Sequence, residues 1–490
     1  MLSRKAMLQS QSSSQNNSLR VSGINLIHTN QTLIPQDFSL DELKAPVLTG
    51  ETRSENWRKS QLKKVETIIE IYQAEIINAL QEDLGKPPTE AFFEILALKQ
   101  ELKVIQKGLK NWMRPKKIDV PLYLQPGTAK VTSEPLGCVL IIGAWNYPFM
   151  LTIQPLISAL AAGNTAVLKP SEFSPSTSQI IDKLFTKFFP KTIVHVLQGD
   201  AQLSQELVTQ NFDHIFFTGG SRIGSKVMES AAQNLTPVTL ELGGRNPAIV
   251  MPGADIEITA KRLIWGKGIN AGQTCLAPNH LYIEESLLEP LVNAMKKQIT
   301  TFYGQNPLKS PHLGKINSRQ FPRVKAILED ATKRQCTIFG GKISENHEKI
   351  SPTLILLSCI NDPLLNEELF GPILPILTFS NFQSVLSEIR SQEKPLALYL
   401  FGGEKKEQQM LLDSTSSGGV CFNDVIMHAG IPQLPFGGVG ASGIGRYHGK
   451  SGFDNFSHKK SIFSKPFWID IQFRYPPYKV DIDVIKKLFR

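Results

Sequence analysis

The sequence predicts an α/β protein built on a doubly wound parallel sheet. Two observations carry this. Short apolar runs at 139–142, 165–168, 194–197, 214–217 and 238–240 recur at intervals of 20 to 29 residues. The stretches between them, 174–188 and 221–234 among them, are patterned as helices, which is the signature of βαβ units.

In chain order, residues 9–18 are all Gln, Ser or Asn, and residues 1–20 read as a disordered tail. Residues 54–84 read as one amphipathic helix, with Leu62, Val65, Ile69, Tyr72 and Ile76 spaced by three and four, ended by Gly85 and Pro87. A second helix spans 90–112 and stops before Pro115. Residues 118–124 and 128–133 read as a hairpin turning at Pro126-Gly127, an excursion suited to an oligomer contact. The helix at 174–188 has Ser174 as its cap and Pro175 at its first position. A second alternating stretch follows from 241 to about 450, and 463–490 is irregular and rich in aromatic and Pro residues.

Totals narrow the function. A chain of 490 residues with 41% hydrophobic content holds several cores, and no apolar run is long enough to cross a membrane. The start lacks the apolar segment of a secretory signal. Net charge is +9, but the positive charges are dispersed, which argues against nucleic-acid binding. Five cysteines, with no close pair and no zinc-like Cys/His cluster, point to a reducing, cytoplasmic compartment, no disulfide framework and no metal.

Five patches carry chemistry. Cys275 ends the small-residue run Asn270-Ala271-Gly272-Gln273-Thr274, and Glu241 lies between Leu240 and Leu242 before Gly243-Gly244. A soft nucleophile with a separate carboxylate suits acyl chemistry through a thioester. Asn146, in Gly143-Ala144-Trp145-Asn146-Tyr147-Pro148, follows a strand and can donate to an oxyanion; the same letters also suit a plain turn. Lys169 and Glu172 lie just beyond the next strand, where they can grip ribose hydroxyls. Gly219, Gly220, Ser221 and Gly224 span a strand-to-helix turn that can admit a pyrophosphate, or simply turn. Glu368 and Phe370, in Glu367-Glu368-Leu369-Phe370-Gly371-Pro372, can hold a second ribose and a flat ring. Gly438-Val439-Gly440-Ala441-Ser442-Gly443 matches a dinucleotide fingerprint in letters. No strand precedes it, and it reads as a flexible loop in the catalytic half.

In this order, FFTGGSRIG, LELGG, GQTC and EELFGP resemble the aldehyde dehydrogenase superfamily over about 22–475, and the run 437–450 with Tyr475-Pro476-Pro477 resembles its class 3, fatty-aldehyde branch. The resemblance implies an aldehyde dehydrogenase-like fold with a Rossmann-type cofactor domain (21–115 and 136–240), a catalytic domain (241–453) and a small β oligomerisation arm (116–135 and 454–480). It implies Cys275 as nucleophile, Asn146 with the Cys275 N–H as oxyanion hole, and Glu241 as the base that activates water. Trp145, Lys169, Glu172, Gly219, Gly220, Ser221, Gly224, Leu242, Glu368 and Phe370 would bind NAD or NADP, both accepted. Tyr147, Trp265, Ile426 and Met427 would line a tunnel for aliphatic, aromatic or isoprenoid aldehydes such as apocarotenals, or serve as ordinary core. A homodimer is expected, and the tail at 481–490 suits contact with a membrane surface or solvent alike. The alternatives are a CoA-acylating dehydrogenase, which needs no water-activating carboxylate, and a non-catalytic nucleotide-binding protein of the same fold.

Overall fold

The structure, a computed structural model, describes residues 33–471, 474–478 and 480–488. The tail expected over 1–20 lies outside the described residues. Helices α1 (Leu40–Leu48), α2 (Glu55–Ile71), α3 (Gln73–Leu84) and α4 (Pro88–Trp112) come first. The single helix expected over 54–84 is therefore two. It breaks at Tyr72, which leaves helical geometry at φ -103° and ψ 20°. The Tyr72 ring meets Phe188 edge-on, and its hydroxyl accepts a bond from Lys187 at 2.8 Å. Both partners lie more than a hundred residues away, so local periodicity does not reveal the break.

Strand β1 (Lys116–Ile118) pairs antiparallel with β2 (Thr128–Pro135), Lys116 opposite Val131. The expected strand over 118–124 ends where it was to begin. Pro121, with no N–H for a ladder, leads into a 3-10 turn at Leu122–Leu124. The connection is a nine-residue loop over 119–127 rather than a tight turn at Pro126-Gly127.

The five expected sheet strands form within two residues of their anticipated ends: β3 (Cys138–Ile142), β4 (Thr165–Lys169), β5 (Val194–Val196), β6 (His214–Thr218) and β7 (Val238–Glu241). Between them run α5 (Met150–Ala162), α6 (Pro175–Phe188), α7 (Ala201–Val208) and α8 (Ser221–Ala232). The strands are parallel in the order β7-β6-β3-β4-β5. Alternate residues serve opposite faces. Val139 and Ile141 join the core under α2–α6, and Leu140 and Ile142 join the core under α1, α7 and α8. Strand order reverses between β3 and β6, and ligands of such sheets bind beyond the carboxyl ends at that point.

The second half is a seven-stranded sheet. It contains β8 (Pro247–Val250), β9 (His280–Glu284), β10 (Thr337–Phe339), β13 (Thr353–Leu356), β14 (Ile373–Phe379), β15 (Ala397–Phe401) and β16 (Gly419–Phe422), beside a small ribbon of β11 (Ile343–Ser344) and β12 (Lys349–Ile350). The run at 438–443 is neither a loose loop nor part of this sheet. It leads into β17 (Gly443–Ile444), which pairs antiparallel with β7 and sets Gly443 opposite Glu241. Two residues are too few for a strand signature in sequence. Finally β18 (Ser457–Ser464) pairs along the whole of β2, making a three-stranded arm with β1. Among the described residues, no helix is long and apolar enough to cross a membrane.

Candidate active site

A cavity of about 720 Å³ opens beyond the carboxyl ends of β3, β4, β6 and β7, a size typical of small-molecule sites. Lys169 ends β4 with 2% exposure, and its Nζ lies 2.6 Å from the Glu172 carboxylate; both line the cavity. Gly219 and Gly220 line it at the start of α8. Gly220 has no side chain to cap that helix, and a Cβ there would meet nothing, so its open end can face a ligand. Gly224 is packed instead against Leu242, whose Cδ2 would lie 2.7 Å from an added Cβ. Leu242 itself lines the cavity. The Ser221 hydroxyl donates to the Ala441 carbonyl and borders a smaller adjoining cavity. Trp145 and Phe370 meet edge to face at 5.4 Å on the cavity wall. Ser174 does not cap α6 with its side chain; its hydroxyl donates to the Trp145 carbonyl at 2.8 Å.

The loop that leads to Cys275 follows α9 (Ile256–Gly268). Asn270, Ala271 and Gly272 adopt φ of 52°, 51° and 77° in succession. For the two non-glycine residues this costs about 1–2 kcal/mol each, so the surroundings must hold the turn. Gly272 must be glycine, because a Cβ would sit 2.3 Å from the Gly371 carbonyl oxygen. The Asn270 amide donates to the carbonyls of Asn146 at 2.8 Å and Gln273 at 3.1 Å. The Asn146 amide also donates to Gln273, at 3.1 Å, and its second N–H remains for a ligand. The Asn246 amide donates to the Cys275 carbonyl at 2.6 Å.

Cys275, Glu241 and Asn146 line one cavity, with Asn146 and Glu241 almost fully buried. Cys275 keeps part of its surface open, yet burial, then the Glu368 and Glu241 carboxyls, pushes its thiol up to about 12. The resting group is therefore a thiol. No described residue hydrogen-bonds to either Glu241 oxygen, and burial raises its carboxyl well above the ordinary value, opposed by Arg446. Burial also raises Glu368 to about 7, against the Gly244 N–H, Arg323 and Lys267.

Tyr147, Trp265, Ile426 and Met427 do not line this cavity. The Tyr147 hydroxyl bonds Thr274 at 2.7 Å, next to Cys275. Trp265 and Ile426 pack on the core of the second half, and Met427 is exposed. Two residues that sequence reasoning did not single out hold the site in shape: Asn246, and Arg323, which donates to the carbonyls of Glu368 and Leu369. Neither belongs to a recognisable spacing pattern.

The aldehyde dehydrogenase family profile matches residues 51–462. The chain is 42% identical to aldehyde dehydrogenase family 3 member H1 of Arabidopsis thaliana, over 89% of this chain and 91% of that protein. It is also 42% identical to the 4,4'-diaponeurosporen-aldehyde dehydrogenase of Staphylococcus aureus, over 94% and 99%. The fold matches Staphylococcus aureus AldH, solved in a substrate-bound state, with a TM-score of 0.89 at 41% identity over 92% of this chain and 98% of that one. It matches a P. syringae indole-3-acetaldehyde dehydrogenase solved with NAD+ with a TM-score of 0.80 at 25% identity, over 87% and 88%. The chain belongs to the aldehyde dehydrogenase family, whose members are NAD(P)-dependent oxidoreductases.

Proposed function

We propose that the protein oxidises apolar aldehydes to carboxylic acids through a cysteine thioester. The observation that carries this reading is the meeting of Cys275, Glu241 and Asn146 in a cavity that also holds the ribose- and phosphate-type contacts. Relatives named for a carotenoid-type aldehyde and for class 3 enzymes support the apolar substrate class.

Cys275 gives up its thiol proton to solvent in the cavity, and Sγ attacks the aldehyde carbon. The oxyanion takes the free N–H of Asn146 and the backbone N–H of Cys275. A nicotinamide held beside Glu368 and Phe370 would supply the hydride acceptor that oxidises the Cys275 adduct to a thioester. Glu241 then takes a proton from the attacking water. Its burial raises its carboxyl well above the ordinary carboxylate range and so makes it a stronger base than a solvated glutamate. A carboxylate in this position favours water over a thiol acceptor, so hydrolysis is preferred to CoA acylation.

The cavity's donor set fits a dinucleotide. Lys169 and Glu172 would hold the adenosine ribose, the uncapped end of α8 would face the pyrophosphate, and Glu368 and Phe370 would hold the nicotinamide half. The Glu172 charge is matched by Lys169, which supports use of both NAD and NADP. Tyr147, bonded to Thr274 beside Cys275, would border the aldehyde, whereas Trp265, Ile426 and Met427 lie outside this cavity. Of the described residues, those within 21–115 and 136–240 form the cofactor domain, 241–453 the catalytic domain, and those within 116–135 and 454–480 the arm through which two copies pair. The helix Ile482–Leu488, with exposed Ile482 and Val484 beside Lys486 and Lys487, suits contact with an anionic lipid surface.

The test is reduced-nicotinamide absorbance with decanal and either NAD or NADP, wild type against Cys275→Ala. Turnover with both cofactors, abolished in the variant, is expected. No signal across aliphatic, aromatic and isoprenoid aldehydes, from folded protein that binds cofactor, refutes the reading.

A further inference from the structure

The strained turn before Cys275 is gripped from a distant part of the chain. Three ionisable side chains from 86 to 94 lie behind it, away from the cavity lining. Glu90, in the first turn of α4, accepts the backbone N–H of Asn270 at 2.8 Å. Lys86 and Glu94 form a fully buried pair at 2.5 Å. The second Glu94 oxygen accepts the Met150 N–H at 2.9 Å. Lys86 Nζ also sits 3.9 Å from the centroid of the Tyr147 ring, whose hydroxyl bonds Thr274.

The geometry points to a division of labour. Ile269 leaves helical geometry at ψ 134°, which turns the following N–H, that of Asn270, off the path of α9 just before the left-handed turn. Glu90 supplies the acceptor; without it, a buried backbone donor would be orphaned and the turn would lose its restraint. Asn270 in turn donates to Asn146, so a shift at its backbone reaches nucleophile and oxyanion donor together. We propose that Glu90 is a positioning residue for the reaction, holding the Asn270 turn so that Cys275 and Asn146 converge; this rests on the oxidation reading above. Lys86 and Glu94 brace the other side of the same turn, through Tyr147 and Met150.

The experiment compares Glu90→Ala and Glu90→Gln in the full chain. It reads kcat and KM with decanal, NAD affinity by fluorescence, and the rate of iodoacetamide alkylation at Cys275 followed by peptide mass. The expected result is at least a tenfold loss of kcat and a changed alkylation rate in Glu90→Ala, with NAD affinity within twofold. Glu90→Gln, whose amide oxygen accepts the same N–H, restores most of both. The proposal is overturned if Glu90→Ala keeps kcat within twofold, or if Glu90→Gln is as damaged as Glu90→Ala. Should Glu90→Ala not fold, Glu90→Gln is compared with Glu90→Met, chains of similar size that differ in the acceptor. Alkylation needs neither aldehyde nor cofactor, so it judges Glu90 even where the oxidation reading fails.

Discussion

Glu241 is a carboxyl without a hydrogen-bond partner among the described residues, held where water is scarce. Two consequences follow from its raised pKa. Between its ordinary value and the raised one, the folded protein holds a proton that the unfolded chain releases, so this group's contribution to stability falls as pH rises. Glu241→Gln has no such charge to bury. Its thermal midpoint should exceed wild type by a margin that widens from pH 5 to pH 9, and a margin that narrows with pH would contradict the assignment. The same variant should still form the thioester but release it slowly. Rapid mixing should then show a burst of reduced nicotinamide close to one per site, followed by a rate at least tenfold below wild type. Loss of the burst itself would move Glu241 to an earlier step. Cys275, Glu241 and Asn146 are legible in sequence because small-residue turns and strand ends mark them. Glu90 is not, because its role exists only through a bond to a residue 180 positions away.

Elements buried on both faces announce themselves. The apolar runs of β3 to β7 stand out because helices cover both sides of their sheet. Elements defined by distant partners do not: the break at Tyr72 depends on α6, and β17 is two residues long. The start of α6 shows the same limit. Ser174 is the expected cap by sequence, yet the first-turn N–H groups of Ser176 and Thr177 are taken by Asp83 at the end of α3, at 3.0 and 2.8 Å. Asp83 also accepts the Thr177 hydroxyl at 2.7 Å. A side chain from the last turn of α3 thus caps the start of α6, and so ties the outer helices to the wall carrying Ser174 and Trp145. Asp83→Ala should cost about 2 kcal/mol, the upper range for a lost cap, because three donors, two of them buried, lose their acceptor. Urea denaturation measures this. A change below about 0.5 kcal/mol, within the range of ordinary surface substitutions, would mean that the cap is dispensable.

At the scale of the whole molecule, the three-stranded arm stands apart from both large sheets and carries apolar side chains that the chain itself does not cover. Leu122 is 89% exposed, Trp468 76% and Phe463 50%, with Ile118 and Tyr123 exposed nearby. Scattered surface apolar residues need no explanation, but a cluster on one small sheet marks an interaction surface. Among the described residues, its edge strand β1 is also unpaired on its outer side. In the dimer proposed above, a second copy of the chain would cover this surface through a two-fold interface, in which every residue contributes twice. A single substitution therefore weakens the dimer doubly. Burying a side chain such as Leu or Phe is worth about 1.5–3 kcal/mol, so an acidic residue at one position removes roughly 3–6 kcal/mol from the pair. Light scattering on the full chain should give twice the 54.5 kDa of one copy. Leu122→Asp with Phe463→Asp should give a single copy at micromolar concentration. A monomeric wild type, or a dimer that survives both substitutions, would place the interface elsewhere. The arm's root argues against simple unfolding as the cause of dissociation: Pro135 and Ser457, paired where β2 meets β18, are buried against the body of the protein and are not touched by either change.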